Sequence, residues 1–281
     1  MESMSGLFEF MIAPFVACMV LVAIHAYLGI HVIARGVIFV DLSLAQIAAF
    51  GSIIALIAGA TPGSVTAYLF PLGFTVLGAF IFAMTRPDSA TKLVPQEAII
   101  GIVYVVASAA TLLLADRVPA GGEAIREAMV GTLLWVDWPT ILRLSIVYAA
   151  AGAFHWFFRK RFLTISLDEH LAEREGWNIR WWDFLFYVSF GVVITLAVPV
   201  AGVLLVFTFL VVPAVVAFLF TRRTGLLLAI SWGFSILASA AGLVLSFAYD
   251  LPTGPLIVVM FGLFLLLAGG IKSLVFKGRT F

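Results

Sequence analysis

The chain has 281 residues, of which 63% are hydrophobic and only 11% are charged. Soluble domains carry roughly a quarter charged residues, so this composition excludes an ordinary soluble domain and predicts an integral membrane protein. A spanning helix needs about 20 mostly apolar residues, which allows roughly eight to ten spans in one transmembrane domain over residues 1–281. The net charge of +1 argues against a nucleic-acid partner held by a broad basic surface.

The amino-terminal segment carries Glu2 and Glu9, where a cleaved signal peptide would carry Lys or Arg, so we expect the first helix to be retained. Hydropathy and the positions of Pro and Gly predict nine helices. Their approximate ranges are 7–30, 38–59, 64–84, 96–115, 139–158, 182–199, 200–220, 224–248 and 255–275. The predicted fold class is all-α, a polytopic transmembrane helical bundle of about eight or nine spans.

The basic residues predict the orientation, because Lys and Arg accumulate in cytoplasmic loops. With nine crossings and the amino terminus outside, 13 of the 16 basic residues fall on the cytoplasmic side, and only Arg117, Arg126 and Arg143 fall outside. The sequence therefore predicts the N-terminus outside and the C-terminus inside. The predicted outer side also carries acidic residues, which either raise the local cation concentration or are ordinary solvated loop residues.

Polar residues are concentrated between positions 31 and 51, in the sequence HVIARGVIFVDLSLAQIAAFG. Ionisable groups at membrane depth are costly, so they mark a functional path by default. Carboxylate, amide and imidazole groups all bind divalent cations, which makes Asp41, Gln46, Glu97 and His31 the candidate metal ligands. Asp41 and Gln46 are about 140° apart on an ideal helix, so they either serve successive points of a path or lie on an irregular helix.

Simpler structural roles compete for some of these residues. A lone intramembrane histidine, such as His25 or His31, is more often a hydrogen-bonded packing residue than a ligand. Glu97 lies at the start of a predicted helix, where the helix dipole favours a carboxylate. The residues alone leave both interpretations open.

Three segments depart from regular spans. The cytoplasmic connection contains a short helical pattern at 167–175 that suits either contact with a motor subunit or a solvated connector. The outer connection 116–138 has helical periodicity in its second half, which predicts a helix that lies at the outer membrane interface or dips into it. The span 200–220 contains Gly202 and Pro213, which predict either a broken helix beside a pathway or a packing kink.

The sequence contains no motif for covalent chemistry, such as GxxxxGK[ST], CxxC, GxSxG or HExxH. We therefore expect no enzyme activity in this chain, and energy from ATP must come from another chain. A secondary transporter is the main alternative, although no internal repeat is visible. A membrane-embedded enzyme or a structural subunit is a further alternative, but no catalytic residues converge.

Three stretches of sequence carry a family resemblance: FVDLSLAQIAAFG at 39–51, EAIIG at 97–101 and AYDLPTGP at 248–255. They resemble the membrane subunits of metal-uptake ABC transporters, the zinc, manganese and iron(II) permease family. The last stretch is the most specific, and the order and hydropathy match along nearly the whole chain.

The resemblance implies an importer in a bacterial plasma membrane. Two copies of this chain would form the pathway, two cytoplasmic subunits would hydrolyse ATP, and an extracytoplasmic metal-binding protein would deliver the ion. The family's intramembrane aspartate would be Asp41, and its acidic residue before the Ile-Gly step would be Glu97. The helix that couples to the ATPase would involve Leu167, Asp168, Glu169, His170, Leu171, Ala172, Glu173 and Gly176.

The identity of the metal depends on position 46, where many members of the family carry His and this chain carries Gln46. Imidazole suits zinc, whereas an amide oxygen is a harder ligand that suits manganese or iron(II). A transport path binds its ion weakly, so the change does not exclude zinc. We expect a transported divalent metal, zinc first and manganese next, and no permanently bound cofactor.

Overall fold

In the computed structural model, the described residues are 2–61, 63–86, 94–118 and 121–275, with side chains between residues 11 and 274. Every regular element in these ranges is a helix, which confirms the all-α fold class. The helices are α1 (Glu2–Arg35), α2 (Val40–Ile57), α3 (Val65–Met84), α4 (Gln96–Ala115), α5 (Gly121–Val130), α6 (Trp138–Phe157), α7 (Arg159–Leu167), α8 (Glu169–Arg174), α9 (Ile179–Phe220), α10 (Thr224–Tyr249) and α11 (Thr253–Val275), with a 3₁₀ turn at Leu133–Trp135.

Within the described ranges, eight helices are long and apolar enough to cross a membrane, in agreement with the predicted eight or nine spans. They are α1, α2, α3, α4, α6, α9, α10 and α11. The centre of the bundle is formed by α1, α2 and α9, whose apolar stretches are 67%, 61% and 56% buried, against 17% for α4 and α11. The exposed apolar faces of the outer helices are suited to contact lipid.

Helix α9 has 42 residues, about twice the length that a bilayer requires, and it reverses direction at Gly202. The backbone of Gly202 leaves the helical range, with φ 75° and ψ 154°. Before the break, Asp183 of α9 contacts Arg35 of α1. After the break, the Leu210 carbonyl lies against Gly29 of the same helix α1. These two positions on α1 are about 9 Å apart, whereas Asp183 and Leu210 would be about 40 Å apart on a straight helix.

The reversal makes the predicted spans 182–199 and 200–220 the two antiparallel halves of α9. It is fixed by a close backbone approach between the end of α5 and Gly202. A Cβ atom on Gly202 would lie 2.4 Å from the carbonyl carbon of Val130. The predicted break is therefore confirmed, and its cause is Gly202, since Pro213 lies inside the helical second half.

The connection between α4 and α6 differs from the prediction, because its helix, α5, occupies the first half of the segment. The second half contains the short 3₁₀ turn, in which Leu133 is only 2% exposed. The Thr132 N–H donates to the Val200 carbonyl over 3.0 Å, next to the reversal of α9. Leu133 therefore packs into the bundle, whereas Trp135 is 76% exposed, and the residues after α5 form only the 3₁₀ turn before α6 begins.

Two short helices, α7 and α8, lie between α6 and α9, where the sequence predicts one at 167–175. The predicted helix is α8, which the Asp168 carboxylate caps by accepting from the Leu171 N–H at 3.1 Å. Helix α7 is an addition to the prediction, and its buried Phe162 and Ile165 hold it against the bundle. We call this end of the bundle the α8 end, and the opposite end, which carries α5, the α5 end.

The last connection is the tight turn that its two prolines and glycine predict. Helix α10 ends at Tyr249, and α11 begins at Thr253. Between them, Asp250 adopts the left-handed conformation with φ 50°. This turn places α10 and α11 side by side as antiparallel neighbours.

Candidate functional site

Asp41 lies in the first turn of α2, after the short bend that joins α1 to α2. The residue is 1% exposed, and neither carboxylate oxygen has a hydrogen-bond partner among the described residues. An unpartnered buried carboxylate is costly, and the dipole at the start of α2 offsets part of that cost. The group is therefore suited to accept a cation.

Tyr148 on α6 lies in the electrostatic field of Asp41 and packs against His25 on α1. The Tyr148 hydroxyl lies within electrostatic range of Asp41 and donates to the Val193 carbonyl at 3.1 Å. The His25 and Tyr148 rings pack edge to face, with centroids 6.0 Å apart. Because His25 Nδ1 must donate to the Leu21 carbonyl at 2.7 Å, its unpartnered Nε2 carries a lone pair.

Glu97 caps a neighbouring helix instead of its own. It lies in the first turn of α4, but its Oε1 accepts a hydrogen bond from the N–H of Phe39, the residue before α2, over 2.9 Å. Its Oε2 is buried and has no partner in the described part of the chain. Glu97 and Asp41 therefore place two carboxylates at the start of α2, where the helix dipole favours negative charge.

The other two predicted ligands lie apart from this pair. Gln46 is 5% exposed and lies about 7.5 Å of helix rise beyond Asp41. His31 is held at the α8 end by Ser166, whose Oγ lies 2.7 Å from His31 Nδ1. Among the described residues, no three His, Cys, Asp or Glu side chains are grouped to hold a metal ion. Gln46 and His31 thus lie apart from the two carboxylates at the start of α2 and from each other.

A network of buried ion pairs lies at the α8 end. Asp183, near the start of α9, is fully buried and contacts Arg35 Nη1 at 2.5 Å and Arg86 Nη1. Arg86 also pairs with Glu169 of α8 over 3.1 Å. Through Asp183, the network joins the ends of α1 and α3 to the start of α9, and Glu169 extends it to α8.

Helix α7 joins the same network through Ser166, whose Oγ accepts a hydrogen bond from Arg35 Nε at 2.7 Å. The Arg35 guanidinium also lies 4.1 Å from the centre of the Phe186 ring on α9, in a cation–π contact. A displacement of α7 or α8 would therefore act directly on the charged ends of the central helices.

The predicted coupling residues divide into an exposed set and an inward set. Glu169 pairs with Arg86, and Ala172 is fully buried. The exposed set presents two apolar side chains among polar ones: Leu167, Asp168, His170, Leu171, Glu173 and Gly176. Helix α8 therefore has one face on the bundle and one face open to a partner.

Several residues at these positions were missed by sequence reasoning. Asp183 is an acid at the start of a strongly apolar span, and His155 is a histidine inside the predicted span 139–158, so intramembrane polarity is the signal that could have identified them. The sequence gives no comparable signal for Tyr148, Ser166 or Arg86, because only their contacts distinguish them.

A cavity of about 460 Å³ lies toward the α5 end. It is lined mainly by small and apolar residues of α2, α3, α5, α6 and α9, with Glu127 and Arg143 as charged lining residues. Along α2 the lining begins at Ala48, about 10 Å of helix rise from Asp41. The buried turn of α2 that contains Gln46 therefore separates the cavity from Asp41.

Similar proteins include membrane components of metal transport systems. The chain is 25% identical over 195 residues to a probable metal transport system membrane protein of Chlamydia pneumoniae, covering 69% of this chain and 67% of that protein. It is 28% identical to the manganese transport system membrane protein MntB of Synechocystis, over 71% of this chain and 66% of the relative. It is 29% identical to the chelated iron transport system membrane protein YfeC of Yersinia pestis, over 71% of this chain and 69% of the relative. The matches to two further Chlamydia proteins span 57% of their length.

The fold is similar to that of a chain in the structure of PsaBC from Streptococcus pneumoniae in complex with Fab. The TM-score is 0.78 at 22% identity, and the alignment covers 95% of this chain and 94% of that one. Residues 7–271, nearly the whole sequence, match the ABC 3 transport family. The chain is therefore an integral membrane protein that belongs to the ABC 3 transport family.

Proposed function

We propose that this chain is the membrane-spanning permease subunit of an ATP-driven importer of divalent metal ions. The observation that carries the proposal is the Asp41 carboxylate, buried inside a transmembrane bundle with both oxygens unpartnered. An intramembrane acid without a protein partner is expected where a cation passes. Membership of the ABC 3 transport family and the metal transport relatives support the same function.

The two ends of the bundle support an alternating-access mechanism. The cavity at the α5 end reaches Ala48, and the ion-pair network around Asp183 closes the opposite end. An ion that enters from the α5 end would pass the Gln46 turn to reach Asp41 and Glu97. Release at the α8 end would then require the Arg35–Asp183–Arg86 contacts to open.

The motor in this mechanism is a separate cytoplasmic ATP-binding subunit that docks on the exposed face of α8. Glu169 lies on the opposite face of α8 and contacts Arg86, so a push on α8 reaches the ion-pair network through one charged contact. By family resemblance, we infer two ATP-binding subunits, a second permease chain and an extracytoplasmic metal-binding protein. The assembly would lie in the bacterial plasma membrane.

For the metal, we propose manganese ahead of zinc, which reverses the order expected from the sequence. Asp41, Glu97 and Gln46 contribute oxygen donors, which suit manganese and iron(II), whereas His25 contributes one imidazole nitrogen. The names of relatives, with manganese and chelated iron, support the same order.

The test is uptake of radiolabelled manganese, zinc and iron(II) into liposomes that contain the chain with its ATP-binding subunit and metal-binding protein. Asp41→Asn keeps the size of the side chain but removes its charge, so we expect uptake to fall by about tenfold or more. Asp116→Asn, at an exposed position after α4, is the matched control and should leave uptake unchanged. Metal uptake by the chain alone, driven by a proton or sodium gradient, would establish a secondary transporter and overturn the proposal.

A further inference from the structure

A second cluster of unpartnered polar groups lies toward the α8 end, between α1 and α6. The aromatic rings of Tyr27, His31 and His155 contact one another, with centroid distances of 4.6, 5.4 and 6.4 Å. Both histidines are 1% exposed. The Tyr27 hydroxyl, His31 Nε2 and His155 Nδ1 are all buried without a partner in the described ranges. Buried polar groups in proteins are rarely unpartnered, so three in one cluster indicate a ligand.

The hydrogen bonds around His155 fix which of its nitrogens can bind a cation. Ser189 Oγ donates its only proton to the Phe186 carbonyl at 2.8 Å. His155 Nε2, which lies 2.8 Å from the same Oγ, must therefore be the donor in that contact. The unpartnered Nδ1 of the neutral ring then carries a lone pair, the form in which histidine binds metal.

His31 has the support that metal-bound histidines usually have. Its Nδ1 lies 2.7 Å from Ser166 Oγ, which already accepts one hydrogen bond from Arg35. The second lone pair of that hydroxyl can accept a hydrogen bond from Nδ1–H, which leaves the lone pair of Nε2 for a cation. Arg35 and Arg86 carry two positive charges and Asp183 and Glu169 two negative ones, so the network as a whole is neutral and does not by itself exclude a cation nearby.

We propose that His31, His155 and Tyr27 form a binding site for a transition-metal dication of the Zn²⁺ or Co²⁺ type, separate from Asp41. Metal–nitrogen bonds of about 2.0 to 2.1 Å place the centroids of two bound imidazoles about 5 to 6 Å apart. The observed 6.4 Å is a small side-chain rotation from that range. Two nitrogens and one phenol oxygen favour these ions over manganese.

This site goes beyond the proposed transport function and does not depend on it. A bound ion would cross-link α1 to α6 and orient His31 toward Ser166 of α7. It would therefore connect metal occupancy to the helices beside the ion-pair network. Asp41, at the start of α2, is not a member of the site.

The test uses the full chain in lipid nanodiscs, carrying Asp41→Asn so that the proposed transport residue does not contribute. The chain is titrated with Co²⁺, whose visible absorption intensifies on tetrahedral nitrogen coordination. We expect one bound Co²⁺ per chain. His155→Phe keeps an aromatic ring against Phe162, 4.4 Å away, and should weaken binding by about tenfold or more. His170→Ala, at an exposed histidine of α8, is the matched control and should bind Co²⁺ unchanged.

Tyr27→Phe provides a second variant, since it removes only the hydroxyl, and we expect it to weaken binding severalfold. If His155→Phe fails to fold, unchanged affinity in Tyr27→Phe overturns the proposal. Absence of the Co²⁺ band in Asp41→Asn also overturns it. The transport function is judged separately by manganese uptake, so either proposal can fail while the other holds.

Discussion

The ion-pair network predicts that Asp183 and Glu169, although both pair with Arg86, have different roles. The Asp183 side chain is fully buried between two arginines, and that of Arg35 is 4% exposed. Asp183→Asn would leave Arg35 buried without a counter-charge, which costs about 3 to 5 kcal/mol. The Glu169 side chain is 30% exposed, and without its charge Arg86 still pairs with Asp183. Glu169→Gln should therefore lower the free energy of unfolding by less than about 1 kcal/mol.

Thermal unfolding of the purified chain in detergent measures this difference. We expect a clearly lower unfolding midpoint for Asp183→Asn and a nearly unchanged midpoint for Glu169→Gln. A double variant, Asp183→Leu with Arg35→Met, should recover part of the loss, because apolar replacement of a buried ion pair is often tolerated. Equal midpoints for the two single variants would refute the assignment of Asp183 as the buried centre of the network.

The same two variants separate stability from coupling. Glu169→Gln removes the charged contact between α8 and Arg86, so metal-stimulated ATP hydrolysis by the assembled transporter should fall while the chain remains folded. Lys or Arg substitutions are unsuitable here, since they would add positive charge beside Arg86. If ATP hydrolysis remained fully stimulated in Glu169→Gln, the proposed route of force from α8 to Arg86 would be wrong.

Three further predictions concern separate parts of the structure. Gly202 has a positive φ, and Gly202→Ala places a Cβ atom 2.4 Å from a backbone carbon of α5. We therefore expect a strongly reduced amount of folded protein on size-exclusion chromatography. Gly152→Ala is the control, because Gly152 has open space around it and the variant should fold normally. Glu97→Gln keeps an oxygen for the Phe39 N–H, so the unfolding midpoint should change little. Manganese uptake should fall, because an uncharged NH2 group replaces the second oxygen. Gln46→His replaces an amide with an imidazole, and we expect the ratio of zinc to manganese uptake to rise; an unchanged ratio would place residue 46 off the path.

The helical architecture could be predicted because a bilayer leaves few alternatives. Backbone polar groups in lipid must be satisfied within the segment, so each long apolar run becomes a helix. The break at Gly202 and the turn at Asp250 were also predictable in position, since Gly and Pro mark such points locally. In the connection 116–138 the sequence predicts a helix in the second half, whereas α5 spans Gly121–Val130. Helical periodicity could not show that Leu133 is buried.

The candidate site could be predicted only in part. The intramembrane polarity of Asp41 and the acidic residue at Glu97 identified two carboxylates that the fold brings to the start of α2. The alternative interpretation, that Glu97 caps a helix, agrees with the structure, but the helix that it caps is α2 and not its own helix α4. His31 was grouped with Asp41 because both lie in one stretch of sequence, whereas its contacts place it with Ser166, Tyr27 and His155.

By itself, therefore, the sequence determined the membrane location, the spanning helices, the main break in the chain and the polar residues that are costly to bury. Only the tertiary structure decided which of those residues meet. Arg35 ends α1, Arg86 follows α3 and Asp183 lies near the start of α9, and no spacing rule links them. Helix packing in a membrane depends on shape and on the polar partners that neighbouring helices present. Those partners are fixed only when the helices are placed side by side.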